Sequence, residues 1–235
     1  MFLDYDGTLT PVRARPHDAA LDDETRRVVA TLAERIFVAV ITGRGLADVQ
    51  ARVGLPGLVY VANHGFEIAG PTLAWQADPS LRPTFSALRP EVDALVEGIE
   101  GVVVEHKGFS IAIHHRLAPP SRVPAILAGV DRLIETHPGL RKGTGKMLVE
   151  LRPARDWHKG AALRWLCDHL AKAGPRPVPL MIGDDLTDED ALAQAQREGG
   201  VGIFVGQPER ETAARFGLRD PTAVTELLRR LADPG

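Results

Sequence analysis

Apolar residues along this chain follow two different patterns, and the switch between them marks out its organisation. In the first third, short unbroken apolar runs alternate with stretches of helical period. An apolar run from Met1 leads into LDYD; FVAVI (37–41) ends in Thr42-Gly43-Arg44, and LVYVA (58–62) ends in Asn63-His64-Gly65. GLADVQARV between them and DDETRRVVATLAER before them carry helical spacing, the latter with an aspartate placed to cap it. Unbroken apolar strands separated by helices predict a parallel sheet covered on both faces.

From about residue 81 the pattern changes. RPTFSALRPEVDALVEGI puts Phe85, Leu88, Val92, Leu95, Val96 and Ile99 on one stripe, which predicts an amphipathic helix. VVVEHKGFSIAIHHR predicts two strands around Lys107-Gly108. SRVPAILAGVDRLIETH predicts a second helix, and LRKGTGKMLVELRP two more strands around Gly143-Thr144-Gly145. After Pro153 the first grammar returns: helix HKGAALRWLCDHLAKA, strand VPLMI (178–182), helix DEDALAQAQRE, strand VGIFV (201–205) and a helix from Pro221. The expected fold is α/β, a doubly wound parallel sheet with a Rossmann-like core of residues 1–80 and 157–235. Residues 81–156 are expected as an inserted α+β cap domain, joined by proline-bearing crossings near Asp78–Leu81 and Pro153–Asp156 that suit a hinge.

Bulk properties narrow the function classes. The 235 residues are 44% hydrophobic and 25% charged, ordinary for a globular protein. A formal net charge of −3 gives no nucleic-acid footprint. A single cysteine, Cys167, rules out an internal disulfide or a thiolate metal cluster and suits a reducing compartment. No apolar run reaches the roughly 20 residues that span a bilayer, and the N-terminus lacks a signal-peptide pattern. The expectation is a cytoplasmic protein, a monomer, whose partner is a small molecule rather than nucleic acid or membrane. The first strand begins almost at Met1, which leaves an upstream segment open.

The candidate chemistry starts with Asp4 and Asp6, two residues apart at the end of the first apolar run. One such aspartate could simply form an Asx-turn. Two on the same side of a buried strand must be paired, protonated or bound to a metal. Ligands of doubly wound sheets sit beyond the carboxyl ends of the strands. There the chain supplies Asp4 and Asp6, Thr42 beside a glycine, Asn63-His64, and GDDLTDED (183–190) after VPLMI. Glu189 and Asp190 read as acids complementing a helix dipole, whereas Asp184 and Asp185 directly follow a strand. Clustered carboxylates without a thiol suit magnesium, and a cation there relieves repulsion and lets one aspartate act as a nucleophile. Lys159 sits in a first helical turn against the dipole preference, which favours a functional role.

DYDGTLT, the Thr42-Gly43 pair, Lys159-Gly160 opening a helix and GDDLTDED, in that order, together resemble the haloacid dehalogenase superfamily of phosphoryl-transfer enzymes. Over nearly the whole chain, FLDYDGTLTPV, VITGR, NHGFE, VEHKGFSIAIHHR, GKMLVELRPARDWHKG and GDDLTDED are similar to the trehalose-6-phosphate phosphatase family. Two departures bear on sugar contacts: Asn63 stands where the family often has Glu, and His115 where Tyr is common before Arg116.

The resemblance implies Asp4 as a nucleophile forming an aspartyl-phosphate and Asp6 as the acid and then base. It implies Mg2+ held by Asp4, the Asp6 backbone carbonyl and Asp184, with Asp188 acting through water and Asp185 outside the ligand set. Thr42, Gly43 and Lys159 would bind phosphate. Arg44, Asn63, His64 and Gly65, with Glu105, Lys107, Arg116, Lys146 and Glu150 of the inserted domain, would meet the sugar, whose hydroxyls need fixed partners. His114, His158, Trp75, Trp157 and Cys167 receive no role. The expected activity is magnesium-dependent hydrolysis of trehalose 6-phosphate, with the inserted domain closing as a cap. The alternatives are a phosphatase of another sugar phosphate, of sucrose or mannosyl-glycerate type, and a catalytically silent sugar-phosphate-binding domain.

Overall fold

A computed structural model describes residues 1–13, 15–145 and 147–233. They form two compact units, Met1–Ala77 together with the chain from Trp157 onward, and Asp78–Asp156. In chain order the first unit begins β1 (Phe2–Leu3), α1 (Asp23–Ala33), β2 (Ala39–Ile41), α2 (Leu46–Val53), β3 (Val59–Ala62), β4 (Glu67–Gly70) and β5 (Leu73–Gln76). The second unit follows as α3 (Leu81–Val96), β6 (Val103–His106), β7 (Ile111–His114), α4 (Val123–Thr136), β8 (Leu140–Gly145) and β9 (Leu148–Pro153). The first unit then resumes with α5 (Lys159–Leu170), β10 (Leu180–Gly183), α6 (Glu189–Arg197), β11 (Val201–Val205), β12 (Phe216–Leu218) and α7 (Pro221–Ala232).

The first unit holds an eight-stranded sheet in the order β12-β11-β10-β1-β2-β3-β4-β5. The six strands from β12 to β3 are parallel. Alternation along the central strands sends Leu3, Val40, Tyr60 and Ile182 to one face, where Val29 and Leu32 of α1, Val49 and Val53 of α2 and Val224 and Leu228 of α7 meet them. Phe2, Ala39, Ile41, Val61 and Met181 face the other way, onto Ala162, Leu163 and Leu166 of α5 and Ala191 and Leu192 of α6. Each large side chain so enclosed contributes about 1.5–3 kcal/mol. Asp22 starts α1 by accepting from the Glu24 and Thr25 amides at 3.0 and 2.9 Å.

The sheet is not parallel throughout. β4 and β5 pair antiparallel, closing on Pro71-Thr72 between Gly70 and Leu73. The Gly-Pro pair is a turn signal, but the flanking runs are four residues each and do not announce strands by length. β12 is shorter still, at three residues, and was absent from the sequence expectation for the same reason.

In the second unit the antiparallel sheet runs β6-β7-β9-β8. α3 packs beside α4 and on β6, and α4 on β8 and β9. Phe85, Leu88, Val92, Ile126 and Val130 from the helices and Ile111, Ile113, Val149 and Leu151 from the strands are buried. The turn expected at Gly143-Thr144-Gly145 falls later: these residues belong to β8, paired with Glu150, Val149 and Leu148. Glycine there makes room for a side chain, because a methyl on Gly143 would lie 2.6 Å from Arg152 Nε.

Candidate active site

Four adjacent parallel strands, β10, β1, β2 and β3, end on one edge of the first sheet. The residue directly beyond each is Asp184, Asp4, Thr42 and Asn63, respectively. Neighbouring strands lie about 4.8 Å apart, so strand order alone brings the first two carboxylates side by side.

Asp4, Asp184 and Asp188 each offer an oxygen within 4.8 Å of the others. Lys159, the first residue of α5, reaches into this group and donates from Nζ to Asp4 Oδ1 at 2.6 Å and Asp188 Oδ1 at 2.7 Å. All four side chains are buried; Lys159 is 2% exposed and Asp188 not at all. The second Asp188 oxygen accepts from the Asp184 and Asp185 amides at 3.2 and 3.1 Å. Asp188 thus spends both oxygens on holding the lysine and the strand end. Asp185 accepts from the Leu186 amide at 2.7 Å and caps the turn. Glu189 is engaged elsewhere, accepting from the Ala213 amide at 2.7 Å.

The packing is close enough to require glycine at Gly7 and Gly183. A methyl on Gly7, at φ +88°, would lie 2.1 Å from Asp184 Oδ2, and one on Gly183 would lie 2.5 Å from Asp188 Cγ.

Burial, with Asp188 and Asp184 alongside, pushes the Asp4 carboxyl well above the usual carboxylate range despite Lys159. Burial opposes the lysine's charge too, but Asp188 and Asp4 hold its pKa well above the ordinary value. Among the described residues, three carboxylates and one ammonium gather here. A set of carboxylate oxygens with no thiol or imidazole among the described residues suits a hard ion. The residues present fit such an ion.

Asp6 faces a different partner. Its two oxygens accept from Arg44 Nη2 and Nε, both at 2.6 Å, while 38% of its side chain is exposed. Arg44 is held from behind by Asp48 at 2.7 Å, and Asp48 in turn by Arg52 Nε at 2.8 Å. Asp6 therefore keeps a fixed orientation and an open edge, and Arg44 is buried at 6% exposure. The bidentate pair needed Arg44 and Asp6 to be close in space, which 38 residues of sequence separation conceal.

The loop after β3 is strained and tightly tied. Asn63, His64 and Gly65 have φ of 51°, 55° and 102° in succession. The first two are non-glycine residues in the left-handed region, at a cost of roughly 1–2 kcal/mol each. The Asn63 amide donates to the Arg44 carbonyl at 2.8 Å and the His64 amide to the Thr42 carbonyl at 2.9 Å. Gly43 leaves space for the His64 ring, which would lie 2.5 Å from a methyl there. Asn63 Nδ2 donates to Glu67 at 3.2 Å.

The second unit carries its own polar group. Glu105 pairs across the sheet with Ala112, which pairs with Glu150, which pairs with Gly143, so this row shares one face. Glu150 is only 1% exposed and accepts from Ser110 Oγ at 2.7 Å, Lys107 Nζ at 3.1 Å and Arg152 Nε at 2.6 Å. Glu105 lies 3.1 Å from His114 Nε2 and 3.8 Å from Lys107 Nζ. Burial opposes the Lys107 charge, but Glu150 and Glu105 raise its pKa. Lys107 falls directly beyond β6, in the turn expected at Lys107-Gly108, whereas Arg116, at the end of the run read as a strand, lies two residues beyond β7. Lys146 lies outside the described residues. Ser110, His114 and Arg152 were not selected from sequence, although Ser110 and Arg152 share the parity of Glu150 on the paired strands.

The sequence profile described as trehalose-phosphatase matches residues 2–222. The curated trehalose-phosphate phosphatase of Mycobacterium tuberculosis is 42% identical over 243 aligned residues, covering 99% of this chain but 61% of that protein. This chain thus spans about three fifths of the length of the curated relatives it matches. Among solved structures, a trehalose-6-phosphate phosphatase related protein superposes with a TM-score of 0.86 at 25% identity, over 98% of this chain and 96% of that one. The C-terminal domain of the Candida albicans trehalose-6-phosphate phosphatase gives 0.81 at 24% identity, over 100% and 92%, and shows the fold. Among the described residues no helix is long and apolar enough to cross a membrane.

Proposed function

The chain belongs to the trehalose-phosphatase family of the haloacid dehalogenase superfamily, and from that membership and the geometry above we propose that it hydrolyses trehalose 6-phosphate to trehalose and phosphate. The observation that carries the proposal is the buried Asp4, held by Lys159 among Asp184 and Asp188, with the oriented Asp6 two residues on.

In this reaction an Asp4 oxygen attacks phosphorus and the bond from phosphorus to the sugar oxygen breaks. Asp6 gives its proton to that departing oxygen, a poor alkoxide leaving group that needs an acid. Asp6 then takes a proton from a water, which attacks the aspartyl-phosphate, releases inorganic phosphate and returns Asp4 as a carboxylate. Arg44 keeps the Asp6 carboxyl group aimed, holding both oxygens when Asp6 is ionised and leaving one to the proton when Asp6 acts as the acid. Thr42, Gly43 and Lys159 grip the phosphoryl oxygens, Lys159 by charge. Mg2+, held by Asp4, the Asp6 backbone carbonyl and Asp184, would supply charge neutralisation and polarise the phosphoryl group.

Selectivity for the disaccharide we assign to Glu105, Lys107, Arg116, Lys146 and Glu150, with Asn63, His64 and Gly65 in the first unit. Phosphate release from a panel of sugar phosphates, with and without magnesium, tests the proposal. Preference for trehalose 6-phosphate in magnesium supports it. Preference for another sugar phosphate would reassign the substrate, and phosphate release from none of them would overturn the enzymatic assignment.

A further inference from the structure

All three tryptophans of the chain gather in one place in the first unit, and none is used by the chemistry above. Trp75 of β5 lies with its ring centroid 5.0 Å from that of Trp157 and 4.6 Å from that of Trp165 in α5, the latter pair stacked. Trp165 stacks in turn on His169 at 5.2 Å. Trp157 is the first residue after the chain returns from the second unit, and Trp75 stands two residues before the chain leaves the first. The Trp157 indole Nε1 donates to the Gly65 carbonyl at 2.8 Å. A methyl on Gly65 would lie 2.7 Å from Ala162 Cβ and 3.2 Å from Trp157 Nε1, so loop and α5 are in contact there.

That carbonyl closes the strained run Asn63-His64-Gly65. The run holds the β2 loop twice through its amides, at the Thr42 and Arg44 carbonyls, and lays the His64 ring over Gly43. A left-handed run of this kind persists only where its surroundings over-determine it. The indole bond is a determinant on its far side. We infer that Trp157, braced by Trp75 and Trp165, is a positioning residue: it holds the 63–65 loop so that Thr42 and Gly43 keep a phosphate-binding shape. The inference rests on the phosphate-binding role proposed for Thr42 and Gly43. It goes beyond that proposal in assigning the phosphate grip to an indole N–H that touches neither phosphate nor sugar.

The test compares Trp157→Phe, which keeps an aromatic ring in the stack and removes the N–H, with Trp165→Phe, a member of the same stack that makes no hydrogen bond to the loop among the described residues. Binding of inorganic phosphate in magnesium is measured by calorimetry, and kcat and KM on trehalose 6-phosphate and p-nitrophenyl phosphate. Trp157→Phe should weaken phosphate binding about 5–10-fold, as expected for a buried acceptor left unpaired. It should raise KM on both substrates by a similar factor with kcat within about twofold, because a grip lost equally in ground and transition states appears in KM. Trp165→Phe should leave phosphate binding unchanged, whatever it does to Tm. Trp157→Phe with lower Tm but unaltered phosphate binding and KM would make the indole merely structural and overturn the inference.

Should that variant not fold, the double variant Trp75→Phe/Trp165→Phe leaves Trp157 as the sole indole. Its emission should shift on adding inorganic phosphate, and a silent titration overturns the inference. If the wild type binds phosphate but hydrolyses no sugar phosphate, the proposed activity fails while this test still reads. If it binds no phosphate, the inference falls.

Discussion

A buried group of charge stands in each unit, around Lys159 in the first and around Glu150 in the second, and the two are built on different principles. Around Lys159, three carboxylates and one ammonium are found among the described residues. Around Glu150 two carboxylates, Glu150 and Glu105, face Lys107 and Arg152, with Ser110 and His114 filling hydrogen-bond positions. Among the described residues, carboxylates outnumber cations in the first group, which suits a cation. In the second, two carboxylates and two cations are described, and they offer fixed donors and acceptors. An acid-rich group suits a site where a phosphoryl group is handled with a metal, whereas paired charge suits recognition of a neutral, hydroxyl-rich surface.

The largest expected effect comes from removing the nucleophile. Asp4→Asn keeps the shape and the hydrogen bond to Lys159 but cannot form the aspartyl-phosphate, so turnover should fall by at least ~10⁴-fold, in the range seen when an enzyme nucleophile is deleted. Steady-state rates with circular dichroism of the variant decide it; a folded variant at near-native rate would refute the assignment. Chelation should be nearly as severe. Activity should vanish in excess chelator and return with magnesium, while calcium, which prefers a larger and looser shell, should restore it poorly. Full turnover under chelation would remove the metal from the proposal.

Next is Lys159→Ala, which separates the two principles. It leaves Asp4 and Asp188 buried without their partner, and breaking a buried ion pair costs about 3–5 kcal/mol. Tm should drop markedly in chelator and recover in part with magnesium, which replaces the missing positive charge. Turnover should remain down by ~10²–10³-fold even in magnesium, because a preorganised charge on the phosphoryl group is gone. A variant with unchanged Tm in chelator would mean that the Lys159 ion pairs do not stabilise the fold.

Much of the first group was legible in the sequence, because Asp4 and Asp184 directly follow apolar strands and Lys159 opens a helix against the dipole preference. Asp4, Thr42, Asn63 and Asp184 could be placed together once four runs were read as parallel neighbours. Asp188 was less visible: its part depends on a turn that folds its carboxylate back onto the Asp184 and Asp185 amides. Arg44 was legible as a site residue but not in its partner, since the bond to Asp6 crosses from one strand end to another. The second group was harder to read. The β8 stretch Leu140–Gly145 shows no apolar alternation to fix register, so the turn was placed too early and Arg152 went unnoticed. The tryptophans are spread over 91 positions, and nothing in their spacing shows that they stack.

The smallest effect sharpens the comparison most. Glu150→Gln keeps the volume and the acceptor that Ser110 uses, but removes the charge that pairs with Lys107 and Arg152. If this group recognises sugar hydroxyls, kcat/KM for trehalose 6-phosphate should fall about 10-fold, the loss of one well-placed polar contact. The rate on p-nitrophenyl phosphate should hardly change, because that ester has no sugar to recognise and its leaving group departs without assistance. The first group predicts the reverse: Lys159→Ala must damage both substrates, since both present the same phosphoryl group. Measured side by side, the two variants therefore give a ratio of losses near one for Lys159 and near ten for Glu150. Equal losses on both substrates from Glu150→Gln, accompanied by a lower Tm, would mean that the Glu150 group serves only to hold β6, β7 and β9 together. Recognition of the sugar would then have to be sought among Asn63, His64 and Gly65 instead.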